Sequence, residues 1–90
     1  MKSTSPLTIL SSASLPEYRF NMHPNEGADL GLMMTRHSMK IGEGKQVDLY
    51  LLNECPKESV EVSAKFWESI GNPSKAILSY DGAELSISKV

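Results

Sequence analysis

Four short constellations carry residue types that could do chemistry: Gly42-Glu43-Gly44-Lys45, Cys55 with His23 and His37, the cations Arg36, Lys40 and Lys45, and four methionines from Met22 to Met39. A phosphate-cradling loop needs Gly-x-x-x-x-Gly-Lys followed by Ser or Thr, between a strand and a helix. Here the two glycines are too close together, Gln46 follows the lysine, and a strand-like run comes next. The stretch reads instead as a hairpin turn. Cys55 is the only cysteine, so no disulfide can form within the chain. As a nucleophile it would need a histidine and an orienting carboxylate in space, and no local signature around it supports that arrangement. It reads as a loop or buried thiol. No carboxylates are paired at motif spacing and no metal-ligand cluster appears. The sequence therefore predicts no enzyme, no catalytic residue, no cofactor and no metal.

The cations are more suggestive. Arg36, Lys40 and Lys45 fall close together with His37 between them, and only Glu43 opposes them. On a strand, Arg36 and Lys40 share one face, and Lys45 would sit at the hairpin tip. A basic β-ribbon of this kind can enter the DNA major groove, which makes Arg36, Lys40 and Lys45 the candidate nucleic-acid-binding residues. The same charges could instead guard an edge strand against aggregation. Glu54, Glu58 and Glu61 follow and would repel phosphate there. The methionines either fill a core or form an adaptable interface. Met33 and Met34 cannot both point to one side of a strand.

The elements that must position these residues are clearest over 59–90. Val60 and Val62 alternate with Ser59, Glu61 and Ser63, which is strand periodicity. Ser63 suits a helix N-cap, and Val62 and Trp67 occupy the positions of a hydrophobic staple. Gly71 and Pro73 end the helix, giving about 64–70. A single longer helix from near Lys57 is the rival parse, disfavoured by its β-branched first turns. Asp81-Gly82 then closes a hairpin. A two-residue loop would set Tyr80 opposite Ala83, Leu78 opposite Leu85 and Ala76 opposite Ile87.

The stretch from Val60 to Gly71 resembles the half-motif of AbrB/MazE-like swapped-hairpin regulators. Val62 stands at the family's strand-ending isoleucine, Phe66 at the apolar helix position, and Ile70-Gly71 at its Leu-Gly. Ser63 replaces the family's proline, and Glu58-Ser59 stand where Gly-Arg is found. The spacing of Gly71-Asn72-Pro73 and Tyr80-Asp81-Gly82 also resembles small phage and prophage proteins of unassigned function. The resemblance covers about a third of the chain. It implies an interlocked homodimer that binds duplex DNA.

Elsewhere, 1–6 looks frayed, 7–11 can make a strand, and Tyr18, Phe20 and Met22 alternate on one face of 18–22. His23-Pro24-Asn25-Glu26-Gly27 is loop by composition. No internal repeat is evident. Over 32–41 a strand puts Arg36, Ser38 and Lys40 on one face and His37, Met39 and Ile41 on the other; a helix would cluster Leu32, Met33, Arg36, Met39 and Lys40. The alternation of Val47, Leu49 and Leu51 favours two antiparallel strands joined at 42–45. The predicted class is α+β: a mostly antiparallel sheet or small barrel with one helix and a C-terminal hairpin, in a single domain.

Composition agrees with one ordinary globular domain: 40% hydrophobic, 22% charged, net charge −2. A chain this short buries only about 60–65% of its unfolded surface, so dimerisation is a natural remedy. The mild acidity argues against a strong non-specific polyanion binder. The single thiol and the lack of a long apolar run predict a cytoplasmic protein without membrane contact. Two readings follow. One is a dimeric DNA-binding regulator. The other is a phage- or plasmid-like interaction protein that modulates a host protein.

Overall fold

The computed structural model describes residues 1–42 and 44–90. Its elements in chain order are β1 (Lys2–Ser3), β2 (Leu7–Ser12), β3 (Arg19–Met22), α1 (Pro24–Asp29), β4 (Arg36–Ile41), β5 (Gln46–Leu51), β6 (Ser59–Ser63), α2 (Ala64–Ser69), β7 (Lys75–Tyr80) and β8 (Glu84–Lys89). Strands take 46% of the chain and helices 13%, and seven strands close into a barrel. The predicted α+β class is therefore corrected to mostly β. Two six-residue helices cap the barrel and form no layer of their own.

Around the ring the order is β2, β6, β3, β5, β4, β8, β7 and back to β2. The seams β2–β6, β3–β5 and β4–β8 are parallel, and the others are antiparallel. The expected mostly antiparallel sheet or small barrel is met in part, since four of the seven seams are antiparallel, of which only the hairpins β4–β5 and β7–β8 are local in sequence. Every parallel seam joins strands remote in the chain, which local patterning cannot register. Phe20, Met22, Val47, Leu49, Val60, Val62 and Leu78 fill the interior, all nearly inaccessible to water. Each lies on the inward side of the two-residue strand alternation.

The chain folds as an internal structural repeat. The unit β2–β3–α1–β4 recurs as β5–β6–α2–β7, shifted by 39 or 40 residues. Leu30 donates to Gly27, Gly31 to Ala28 and Leu32 to Gly27 at the end of α1. Ile70, Gly71 and Asn72 donate to Trp67, Glu68 and Trp67 at the end of α2. Both sets match a helix closed by a left-handed glycine, and Gly31 (φ 75°) and Gly71 (φ 91°) adopt that conformation. Strands β3 and β6 pair antiparallel with Asn21 opposite Glu61. Glu61 is Asn21's own counterpart, 40 residues on, so a pseudo-two-fold axis passes through this pair.

Several local expectations change. Residues expected to fray instead pair with β7, where Ser3 lies opposite Ser79. Buried Thr4 takes the Leu78 amide on its hydroxyl (3.1 Å). The stretch expected as loop begins α1: His23 is its N-cap, with Nδ1 accepting the Asn25 amide at 3.0 Å. Helix α2 starts on the Ser63 hydroxyl, which accepts the Phe66 amide at 3.0 Å. The β7–β8 hairpin is shifted by two residues, with Tyr80 opposite Leu85, Leu78 opposite Ile87 and Ala76 opposite Lys89. Asp81 Oδ1 accepts the amides of Ala83 and Glu84 (2.8 and 2.7 Å), which widens the turn. A shift of two leaves every side chain on its expected face.

Candidate functional site

The predicted cationic residues lie on the outer face of β4 and on the connection after it. Arg36 and Lys40 project outward, while Met39 and Ile41 are buried. Arg36 is not free: its Nη2 is 3.5 Å from Asp48 Oδ2, and Asp48 Oδ1 accepts the Ser38 hydroxyl at 2.8 Å. Its guanidinium also lies 5.8 Å from the Tyr50 ring centroid, with Arg19 closer at 4.0 Å. Arg19 Nε donates to Asn21 Oδ1 (3.2 Å), and Asn21 Nδ2 donates to Glu61 Oε1 (2.9 Å). A charge-balanced network thus crosses β4, β5, β3 and β6. Lys40 stands between Gln46 on β5 and Glu84 on β8. At Lys40 strand β4 is therefore flanked on both sides, whereas Arg36 to Met39 have registered pairs with β5 alone. Glu43, expected to oppose these cations, lies outside the described residues.

Lys40 and Lys45 do come together, lining a shallow depression with Gly44 and Gln46. Arg36 lies four residues back along the strand, about 13 Å at the usual rise. Lys45 turns toward the barrel end: its ammonium is 5.6 Å from the Tyr18 ring centroid. Its interaction with the Tyr18 side chain favours the charged form and raises its pKa.

Lys45 also lines a cleft of about 370 Å³ at the end of the barrel beside α2. Its walls are Phe66 and Ser69 of α2, Ile70 at the C-cap of that helix, Glu84 to Ile87 of β8, and Tyr18, Ile41 and Gly42. Phe66 stacks edge-on against Phe20 at 4.9 Å and Tyr18 at 6.2 Å, which fixes the floor. The cleft is mostly apolar, with one cation, Lys45, and one carboxylate, Glu84, among the described residues that line it.

No family model matches the chain, and no curated protein matches its sequence.

The chemistry of the remaining candidates is limited. Burial, then the nearby Glu61 and Glu54 carboxylates, push the Cys55 thiol up, away from the nucleophilic thiolate. Among the described residues, no group of three or more His, Cys, Asp or Glu side chains could hold a metal ion. His37 is engaged, with Nε2 accepting the Met34 amide at 3.1 Å. Met33 and Met34 precede β4 rather than lie in it, and they are 93% and 69% exposed. No described helix is long and apolar enough to cross a membrane. The sequence reading missed the cleft because its walls come from four distant segments. The apolar pairs Phe66/Ile70 and Leu85/Ile87 were its only local signals.

Proposed function

We propose that this barrel is a non-enzymatic interaction module that binds and modulates another protein. The observation that carries the reading is the open apolar cleft between α2 and β8, with a lysine at its rim. An apolar concavity with a few placed polar groups is what recognition of a side chain or short segment requires. The two exposed methionines near β4 offer an adaptable second contact. Each chain supplies both halves of the barrel, so closing the core needs no second copy. A cytoplasmic setting suits the single free thiol.

A second reading is the DNA-binding dimer of swapped-hairpin type, favoured by the shared placement of Lys40 and Lys45. With Arg36 already paired to Asp48, two cations per chain remain. A dimer would then lose affinity with a log–log salt slope of about −3.6, at roughly −0.9 per contact. Amide shift mapping on isotope-labelled protein separates the readings. A pool of random heptapeptides is expected to move Ile70, Leu85 and Ile87. A short duplex at about 50 mM salt would instead move Lys40, Gly44 and Lys45. Shifts confined to the second set reject the protein-binding reading.

A further inference from the structure

The seam between β4 and β8 is short, with two registered pairs, Lys40–Glu84 and Ile41–Leu85. Strand β4 ends there, while β8 continues to Lys89. Which backbone groups of β8 remain free follows from its pairing with β7. Glu84 accepts the Asp81 amide (3.3 Å), and the Val90 amide donates to Lys75 (3.1 Å). In an antiparallel pair, hydrogen-bonded residues alternate with non-hydrogen-bonded ones. Even-numbered residues of β8 therefore turn their N–H and C=O toward β7, and odd-numbered residues turn theirs the other way. Ala83 confirms the parity, because its carbonyl takes the Lys40 amide from the β4 side (3.3 Å). Beyond Leu85 no described strand lies on that side. The backbone groups of Ile87 and Lys89 thus form an open edge beside the cleft that α2 walls on its other side.

We propose that this edge takes an extended acidic segment of another protein, which adds to β8 as a strand and places an apolar side chain in the cleft. The proposal rests on the protein-binding reading above and names its site and ligand chemistry. Strand addition draws affinity from main-chain hydrogen bonds and selectivity from pockets for alternate side chains. Here Ile87 and Lys89 supply the main-chain groups. Phe66, Ile70 and Ile87 receive the apolar side chain. Charge selects an acidic segment. Lys45 lines the cleft, and the Lys89 ammonium lies over Gly71 at the end of α2. Glu84, the one acid in the lining among the described residues, sits at the β4 end, where pairing is already taken.

Random heptapeptides displayed on phage are selected against the intact protein, and one enriched peptide is synthesised with a fluorophore and titrated. Enriched peptides are expected to carry Asp or Glu near an apolar residue. Lys45→Ala should weaken binding several-fold and reduce its salt dependence. Lys89→Pro removes an edge-facing donor without touching the β7 ladder, and should bind about fivefold or more weakly than Lys89→Ala. N-methylation of the peptide gives the same readout on unaltered protein. Methyls on the residues facing β8 abolish binding, and methyls on the others leave it. A peptide that binds equally well with either methylation pattern overturns strand addition while the protein-binding reading stands. Failure to enrich any peptide rejects both. A homodimer that Lys89→Pro dissolves overturns the proposal by making a second copy the occupant of the edge.

Discussion

Helices α1 and α2 occupy equivalent places in the two halves of the barrel, begin on a side-chain cap and end on the same three hydrogen bonds. Their central residues are nevertheless opposite in character. Glu26 of α1 stands where α2 has Phe66, and Gly27 where α2 has Trp67. Phe66 completes an aromatic cluster with Phe20 and Tyr18. Glu26 is only 6% exposed, and its Oε2 has no hydrogen-bond partner. A Cβ on Gly27 would come within 2.6 Å of the Leu51 side chain, so α1 lies tight against the end of β5. Trp67 is half-buried and donates its indole N–H to the Pro73 carbonyl at 2.8 Å. The end hydrogen bonds define the backbone of the repeat. Side chains between those ends differ: the cleft beside α2 is walled by Phe66 and Ile70, whereas the one at the end of α1 is lined by Leu30 and Gly31 with Met1, Lys2 and Tyr80.

The largest test of this contrast is truncation at the matched position. Phe66→Ala should cost about 3–5 kcal/mol in chemical denaturation, as for other buried aromatics. Glu26→Leu should instead be neutral or raise stability by about 1 kcal/mol, because it removes a desolvated oxygen without a partner. A loss like that of Phe66→Ala would show that the carboxylate is structurally required. The next pair is Gly27→Ala and Trp67→Ala. Adding a methyl against Leu51 should cost about 1–3 kcal/mol by overpacking. Removing the half-buried indole should cost less than the roughly 3–5 kcal/mol of a fully buried ring.

A smaller effect is expected at the cap of α2. Ser63→Ala should lose about 1 kcal/mol, visible as a lowered denaturation midpoint with an unchanged slope. Its hydroxyl also donates to the Glu17 carbonyl at 3.0 Å, which ties α2 to the segment before β3. The smallest effect is that of exposed Asp81. Hydrogen bonds from the Glu84 and then the Ala83 amide hold its carboxyl below the ordinary value of 3.8. A lowered folded pKa stabilises above the unfolded value and is lost as pH falls through the folded one. Stability should therefore decline slightly more below pH 3.8 in the parent than in Asp81→Ala, as followed by melting across an acid pH series.

Local chemistry made part of this fold readable. The second helix was legible because Ser63 and Gly71 bracket a short run that Pro73 prevents from continuing. The alternation in β4, β5, β7 and β8 was legible because one face of each meets the core. The first helix was hidden by its own composition. Pro24 at its start and Gly27 in its middle read as loop, yet the glycine is there because Leu51 leaves no room for a side chain. The repeat was hidden because Glu26/Phe66 and Gly27/Trp67 differ in character. Gly31/Gly71, Pro16/Pro56, Leu30/Ile70 and the apolar pairs Leu7/Val47, Ile9/Leu49, Phe20/Val60 and Met22/Val62 keep the 40-residue spacing, too scattered to stand out. The hairpin register was missed because an Asp-Gly pair implies a two-residue turn, whereas the Asp81 carboxylate opens a wider one. Of the candidate site, the outward faces of Arg36 and Lys40 could be read from alternation. The Arg36–Asp48 and Lys45–Tyr18 contacts could not, since each depends on strand pairing or loop placement that no local pattern encodes.

The open seam of the second half is tested most directly by residue-resolved amide hydrogen exchange along β8 in the free protein. Ser86, Ser88 and Val90, turned toward β7, should exchange slowly, while Ile87 and Lys89, turned to the open edge, should exchange at rates near those of exposed loops. Equal protection of all five amides would contradict the account, because it would mean that the edge is already covered.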